Sequence, residues 1–323
     1  MHRIEIKRQF DDDEAAAIQG LLTAATEADA HAPLDEHAWL DLVQGGREGF
    51  AGLVAWLEGH DHPVGYAQVS RGPRPAAHAS DHGASWALEY VVDPHHRVPG
   101  NTIGRDLVVE AARVIAAEGG GHVHMWVNQP RPEHERIAAA VGLRPGRALY
   151  QMRRPLPVEP ALDDASDALP TRAFRPGVDE PAWLEVNNQA FRWHPEQGGW
   201  ELATIKERES QPWFDPEGFL LHFTEGTAGT ETLAGFCWTK VHREHVPTMG
   251  EIYVIAVHPD FSGRGFGRAL TLAGLRHLAG KGIGVGMLYV DAANRAAVKL
   301  YIDLGFVINH VDQAYVGDVA PAQ

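Results

Sequence analysis

A chain of 323 residues has room for about two domains of the usual ~100–200 residues each, and 44% hydrophobic with 22% charged residues excludes a disordered or fibrous protein. With 28 basic against 43 acidic residues, the net charge of −15 argues against partners held by a broad positive field, so neither nucleic acid nor an anionic membrane is expected as a partner. The single cysteine, Cys237, cannot form an intrachain disulfide, and its setting in Phe236-Cys237-Trp238 reads as a buried, inert thiol.

Met1–Phe10 carries basic residues with no apolar stretch behind it, and nowhere do about 18 apolar residues run together, so a cytoplasmic location is expected. Between Ala24 and Gly49, Leu34, Trp39, Leu40 and Val43 have helix-like spacing, whereas Arg71–Gly83, rich in Pro, Gly and His, reads as a loop. A strand ending at Val92-Asp93-Pro94 leads through a turn, Arg97–Gly104, into an amphipathic helix, a second strand around His122-Val123-His124, and a short helix before Gly142-Leu143. After Met152, Arg154-Pro155-Leu156-Pro157 and the acidic Asp163-Asp164-Ala165-Ser166-Asp167 predict a linker. The expected division is a first domain at 1–153, a linker at 154–171 and a second domain at 172–323.

The second half opens with a helix over Pro181–Ala190 and a loop over Phe191–Trp200, then repeats the earlier order of strand, glycine turn, helix, strand and short helix. Aligning Val92 with Val257 sets an offset of 165, and aligning Gly142 with Gly305 one of 163, so the chain reads as a duplication with a two-residue insertion in the first turn. Each half is expected to be α/β (α+β), a sheet covered by helices.

The sharpest signal runs from Glu251-Ile252-Tyr253-Val254-Ile255-Ala256-Val257 through His258-Pro259 into Ser262-Gly263-Arg264-Gly265-Phe266-Gly267-Arg268. A buried strand that turns through glycines into a helix presents backbone N–H groups at the positive helix end, where a pyrophosphate fits. A P-loop is excluded because no Lys-Ser/Thr follows the last glycine. A Rossmann turn stays open as the runner-up, although the Gly-x-Gly-x-Gly spacing differs from its fingerprint. In Leu288-Tyr289-Val290-Asp291, then Asn294 to Tyr301, Asn294 can cap a helix and Tyr301 lies seven residues on, on the same face. The nineteen histidines include pairs such as His60/His62 and His122/His124, but no acid or Cys cluster completes a coordination sphere, and no metal is expected.

The glycine turn after Val257 and the Asn294…Ala297…Leu300-Tyr301…Gly305-Phe306 pattern resemble the GNAT acetyltransferase superfamily, with Ser262 standing where its phosphate turn has Arg or Gln. The segments His194–Trp200, Trp213-Phe214-Asp215-Pro216, Trp238–His242 and Gln151–Leu156 resemble a tandem branch of that superfamily, over nearly the whole chain. The resemblance implies two tandem GNAT domains, each a mixed, mostly antiparallel sheet flanked by helices, in a monomer. It implies acetyl transfer from acetyl-CoA to the cysteinyl amine of desacetylmycothiol, a cysteine–glucosamine–inositol conjugate. Carried over by motif, Glu251 matches the general base and Tyr301 the general acid, while Glu36, Glu196, Lys240, Glu251 and Tyr289 match substrate contacts. For acetyl-CoA, Ile255, Ala256 and Val257 supply strand backbone, Ser262, Gly263, Arg264, Gly265, Phe266, Gly267 and Arg268 the phosphate turn, and Asn294, Arg295, Ala296, Ala297, Val298 and Lys299 the later contacts.

At those offsets Glu251 falls on Trp86, Gly267 on Thr102, Asn294 on Arg131 and Tyr301 on Ala138, so the first half lacks base, acid and cap. Glu89 has no tyrosine to act with, and Pro99 removes an N–H from the first turn. Tyr90, Val91 and Val92 stand as candidates for a second CoA contact without turnover. The competing readings are a GNAT enzyme for another small amine or aminoglycoside, and a non-catalytic CoA sensor.

Overall fold

A computed structural model of the chain describes residues 2–29, 31–34, 36–46, 48–72, 84–162, 169–192, 198–225, 231–243 and 246–322. The acidic stretch of the expected linker, most of the loop over Arg71–Gly83, and candidate Glu196 lie outside them. The chain forms two compact units, Met1–Leu149 with Val311–Gln323, and Tyr150–His310.

The first unit runs β1 (His2–Lys7), α1 (Asp12–Asp29), α2 (Glu36–Gln44), β2 (Phe50–Leu57), β3 (Gly65–Arg71), β4 (Ser85–Val92), α3 (Ile103–Ala117), β5 (Gly121–Asn128) and α4 (Pro132–Ala140). From β6 (Arg144–Pro155) the chain enters the second unit, with β7 (Arg172–Ala173), α5 (Glu180–Ala190), α6 (Leu202–Glu209), β8 (Phe219–Glu225), β9 (Glu231–His242), β10 (Met249–Val257), α7 (Phe266–Gly280), β11 (Val285–Asp291) and α8 (Arg295–Asp303). The last strand, β12 (Val307–Val319), rejoins the first unit at Val311.

In the first unit β1 to β4 are antiparallel neighbours, β4 pairs with β5 in parallel, and β5 pairs antiparallel with Asp312–Val319 of β12. In the second, β7 to β10 are antiparallel and β10 pairs with β11 in parallel. Each unit is therefore a mixed, mostly antiparallel sheet flanked by helices, as expected from the sequence. The central strands are apolar without alternation because both faces are covered: β2 is buried from Phe50 to Ala55, and β9 from Leu233 to Thr239. On one face of the second sheet, α7 packs Leu270, Leu275 and Leu278 with Cys237, Ile252 and Tyr301. On the other, Trp183 of α5 packs among Phe219, Phe236 and Trp238, and Trp238 stacks on Phe219 with ring centroids 4.4 Å apart.

The helix-like spacing between Ala24 and Gly49 is met by α2, and α1, which the sequence reading did not anticipate, buries Ile18, Leu21, Leu22 and Ala25. Two expectations change. The proline-rich stretch opens inside β6: the Arg154 guanidinium is buried and donates to the carbonyl of Leu304, Leu156 N–H donates to Gly284 O at 2.9 Å, and Leu156 and Val158 join the second core. Pro155 is tolerated because it ends the strand, where no further ladder bond is demanded of it. Residues from Val311 group with the first unit rather than with 172–323, since they form a full antiparallel ladder with β5 that strand periodicity alone does not reveal.

Gly274 lets α7 approach the sheet, because a Cβ there lies 2.6 Å from Cys237 Sγ and 2.7 Å from Ile252 Cδ1. Gly274→Ala should destabilise the protein by about 1–3 kcal/mol through overpacking, read as a lower urea midpoint at unchanged slope. An unchanged midpoint contradicts this packing.

Candidate active site

The parallel ladder between β10 and β11 covers Gly250–Ile252 against Gly286–Leu288 and stops there, although both strands run on to Val257 and Asp291. Within β10, the pairing with β9 shifts between Ile252 and Val254, so Tyr253 is an extra residue, a β-bulge. His258 N–H donates to Ala234 O of the neighbouring chain segment at 2.9 Å. By strand alternation Ala256 also faces β9, and the N–H and C=O groups of Ile255 and Val257 face the side on which β11 has parted. Past Ile252 and Leu288 the two strands do not pair with each other, which opens a slot bordered by the backbone of Ile255 and Val257.

The turn after β10 leads into the helix start. Residues Pro259–Phe261 form a single 3₁₀ turn, Ser262 to Gly265 are exposed, and Gly263 and Gly265 take φ of 77° and 82°, a left-handed backbone open to glycine at no steric cost. Gly265 is the N-cap of α7 and offers no side chain; the first helical bond is Ala269 N–H to Gly265 O at 3.2 Å. The N–H groups of Phe266, Gly267 and Arg268 thus have no intrahelical acceptor, and they lie at the positive end of a fifteen-residue helix. An anionic, phosphate-bearing ligand end suits these donors. The side chains of the turn are engaged elsewhere: Arg268 donates to Leu162 O at 2.8 Å, and Arg264 lies over the Phe261 ring at 5.1 Å.

Asn294 caps α8 as its spacing suggested, its Oδ1 accepting from Ala297 N–H at 3.2 Å. Arg295 and Ala296 are exposed beside it, Ala297 and Val298 are half-buried, and Lys299 is turned to solvent in an ion pair with Asp303 at 2.6 Å. Tyr301 is 7% exposed and packs with Ile252 and Leu304; burial first, and the nearby Cys237 second, push its phenol well above its ordinary pKa. Cys237 is fully buried and its thiol is pushed up to about 12, the inert state expected of it.

Glu251 is the neighbour of Ile252 along β10, so it points to the opposite face of the sheet from Tyr301. It is 6% exposed and stands directly opposite Lys240 of β9. His242 Nε2 lies 2.7 Å from Glu251 Oε2. The Lys240 ammonium sits over Trp213 at 4.4 Å and Tyr253 at 5.5 Å. Tyr289 of β11, two residues beyond the partner of Glu251 and on its face, is 43% exposed and accepts a hydrogen bond from Gln151 at 2.7 Å. Of the predicted substrate contacts, Glu251, Lys240 and Tyr289 therefore share one face. Glu36 opens α2, but its side chain, like Glu196, lies outside what is described. Sequence reasoning gave no role to His242, Trp213, Tyr253 or Gln151, although the two-residue spacing of Lys240 and His242 on a strand already placed them on one face.

The first unit repeats the parting of strands: β4 and β5 pair only from Ser85/His122 to Leu88/Met125. Its β4 carries no bulge, so Leu88 is the counterpart of Ile252, and Ala87 rather than Trp86 stands where Glu251 does. A cavity of about 290 Å³ lined by Tyr90, Val92, Arg97, Asn101 and His134 lies here. Its backbone is partly taken: Arg97 donates through Nε to Val92 O at 2.7 Å and through Nη1 to both carboxylate oxygens of Asp29, and the Asn101 side chain accepts from Ile103 N–H at the start of α3. Volume is found in the first unit, and the carboxylate and the glycine-led start of α7 in the second.

Residues 182–306 match the acetyltransferase (GNAT) family. The chain is 42% identical to a mycothiol acetyltransferase of Nocardia farcinica over 316 residues, 97% of each chain, and 42% identical to one of Acidimicrobium ferrooxidans over 301 residues, 91% of each. Its fold is similar to that of a tandem GNAT protein from the clavulanic acid biosynthesis pathway, with a TM-score of 0.65 at 15% identity over the whole of both chains. It is also similar to a GCN5-related N-acetyltransferase of Sphaerobacter thermophilus, with a TM-score of 0.65 at 24% identity over 99% and 97%. With the parted strands, the glycine turn and this full-length likeness, the chain belongs to the mycothiol acetyltransferase family of GNAT acyltransferases.

Proposed function

We propose that the second unit acetylates the cysteinyl amine of desacetylmycothiol from acetyl-CoA, with Glu251 as general base and Tyr301 as general acid. The observation that carries this reading is the parting of β10 from β11 between a buried carboxylate on one face and a buried phenol on the other. Acetyl-CoA supplies the activated acetyl thioester. The amides of Phe266, Gly267 and Arg268 bind its pyrophosphate, with Ser262, Gly263, Arg264 and Gly265 shaping the turn and Asn294 to Lys299 bordering it. The Ile255 and Val257 backbone lines the slot, and an N–H there stabilises negative charge on the acetyl oxygen.

An α-amine has a reference pKa of ~7.7–8.0, so at neutral pH much of it is protonated, and Glu251 takes up the proton that must leave before attack. Burial keeps the Tyr301 phenol protonated, which is the form needed to donate to the departing thiolate. Lys240 and Tyr289 bond the hydroxyl-rich part of the acceptor, as do Glu36 and Glu196. In the first unit, Tyr90, Val91 and Val92 contact a second CoA without turnover, because Ala87 gives no base and Ala138 no acid.

The direct test is Glu251→Gln with the cysteinyl pseudodisaccharide and acetyl-CoA: kcat should fall about 10²–10⁴-fold with acetyl-CoA binding retained. Activity within a few-fold of the parent removes Glu251 from the role.

Tyr301→Phe should lower kcat by about 10- to 100-fold while the melting temperature at pH 7 barely moves, since the ring still fills its place. A raised phenol pKa favours the folded state below the ordinary value of about 10 and loses that contribution as pH climbs past it. The variant should therefore lose less stability than the parent between neutral and strongly alkaline pH. Unchanged kcat returns Tyr301 to a packing role alone.

Gly265 and Gly100 both take positive φ, 82° and 86°, with open space where a Cβ would stand, so valine strains each alike. Gly265→Val should raise the acetyl-CoA KM at least about tenfold by crowding the phosphate turn, whereas Gly100→Val should leave kcat/KM within about threefold. The opposite ranking assigns turnover to the first unit.

A further inference from the structure

The contact between His242 and Glu251 is left over once base, acid and phosphate turn have been assigned. His242 ends β9 opposite Met249, which makes it the diagonal neighbour of Glu251 on the same sheet face. Its Nε2 is 2.7 Å from Glu251 Oε2, and the two side chains are only 13% and 9% exposed. A separation that short between a carboxylate, which only accepts, and an imidazole nitrogen requires a proton between them, which fixes Nε2 as the protonated nitrogen. Among the described residues nothing bonds Oε1, so the second oxygen is the one left for a ligand.

We propose that His242 is a positioning residue for the acetyl transfer: its Nε2–H donates to Glu251 Oε2, which fixes the carboxylate rotamer and presents Oε1 to the amine of the acceptor. The inference rests on Glu251 being the base. The bond also offsets the cost of keeping a carboxylate ionised in a place that water scarcely reaches. Other charged or titratable groups on this face are Lys240, whose ammonium is held over Trp213 and Tyr253, Tyr253 itself, and Tyr289, bonded to Gln151. On α5, which packs against β9 and β10, Glu180 is paired with Lys206 and Glu185 is exposed; Asp215, near α7, is paired with Lys281.

The experiment compares kcat and the acceptor KM of His242→Phe, His242→Gln and Glu251→Gln in the full-length protein, with acetyl-CoA binding and melting temperature measured for each. Phenylalanine keeps the ring volume and removes the donor. A hydrogen bond to a charged group is worth enough that kcat/KM should fall about 10- to 100-fold. Because the bond orients the carboxylate rather than holding the acceptor, the loss should fall on kcat, with the acceptor KM within about threefold. Acetyl-CoA binding should be unchanged. Glutamine restores an N–H donor at nearly the same reach, so His242→Gln should recover most of the rate. A parent-like kcat in His242→Phe overturns the proposal, as does His242→Gln being as impaired as His242→Phe. If Glu251→Gln is itself fully active, the base assignment has failed. If Glu251→Gln is inactive while His242→Phe is parent-like, only the role of His242 has failed.

Discussion

A parallel ladder that ends after three residue pairs is the constraint on which the rest of the second unit depends. Past Ile252 and Leu288 the two strands no longer satisfy each other, and a sheet cannot leave buried N–H and C=O groups unmet without cost. The slot so made suits a polar, elongated occupant, and the strand, the glycine turn and the start of α7 follow one another so that an anionic end of such an occupant would face the positive end of that helix. Acetyl-group chemistry then falls to the side chains that border the opening. Glu251 and Tyr301 stand on opposite faces of that one sheet, which is the arrangement the proposed base and acid require.

The bulge at Tyr253 has a second effect. Without the extra residue, the side chains after Ile252 would all exchange faces; with it, Val254 and Ala256 pack with Trp238 while Ile255 and Val257 lie with the α7 core, and Tyr253 is free to stand beside Trp213 under the Lys240 ammonium. The first unit keeps a regular β4 and lacks both the carboxylate and the aromatic platform. Before the bulge the two strands stay in register, so Glu251 against Ala87 is a difference of side chain, and the inserted residue accounts for the aromatic placement that follows it.

Much of this was legible in the sequence because it rests on local rules. Gly263 and Gly265 announce left-handed backbone, Asn294 announces a cap, and Phe236-Cys237-Trp238 announces a doubly covered strand. The resemblance supplied the roles of Glu251 and Tyr301. What the sequence hid depends on pairing between distant segments. A strand that reads as belonging to the second half, Val311–Val319, finds its partner in β5, and Arg154-Pro155 reads as linker until Leu304 and Gly284 are brought beside it. The bulge was hidden for the same reason, since it is visible only against β9, and so the offset of 165 set Glu251 one residue away from its counterpart. His242 escaped because nineteen histidines dilute any single one; its meaning comes from a diagonal contact that needs the register.

Acetyl-CoA bound between the parted strands and at the start of α7 in the second unit would cover a defined set of backbone amides. Amide hydrogen exchange, resolved to single residues with and without acetyl-CoA, tests it most directly. Slower exchange at Ile255 and Val257 together with Phe266, Gly267 and Arg268 is the predicted result. Exchange at those five amides that is identical with and without saturating acetyl-CoA contradicts it, whatever protection arises around Tyr90 and Val92.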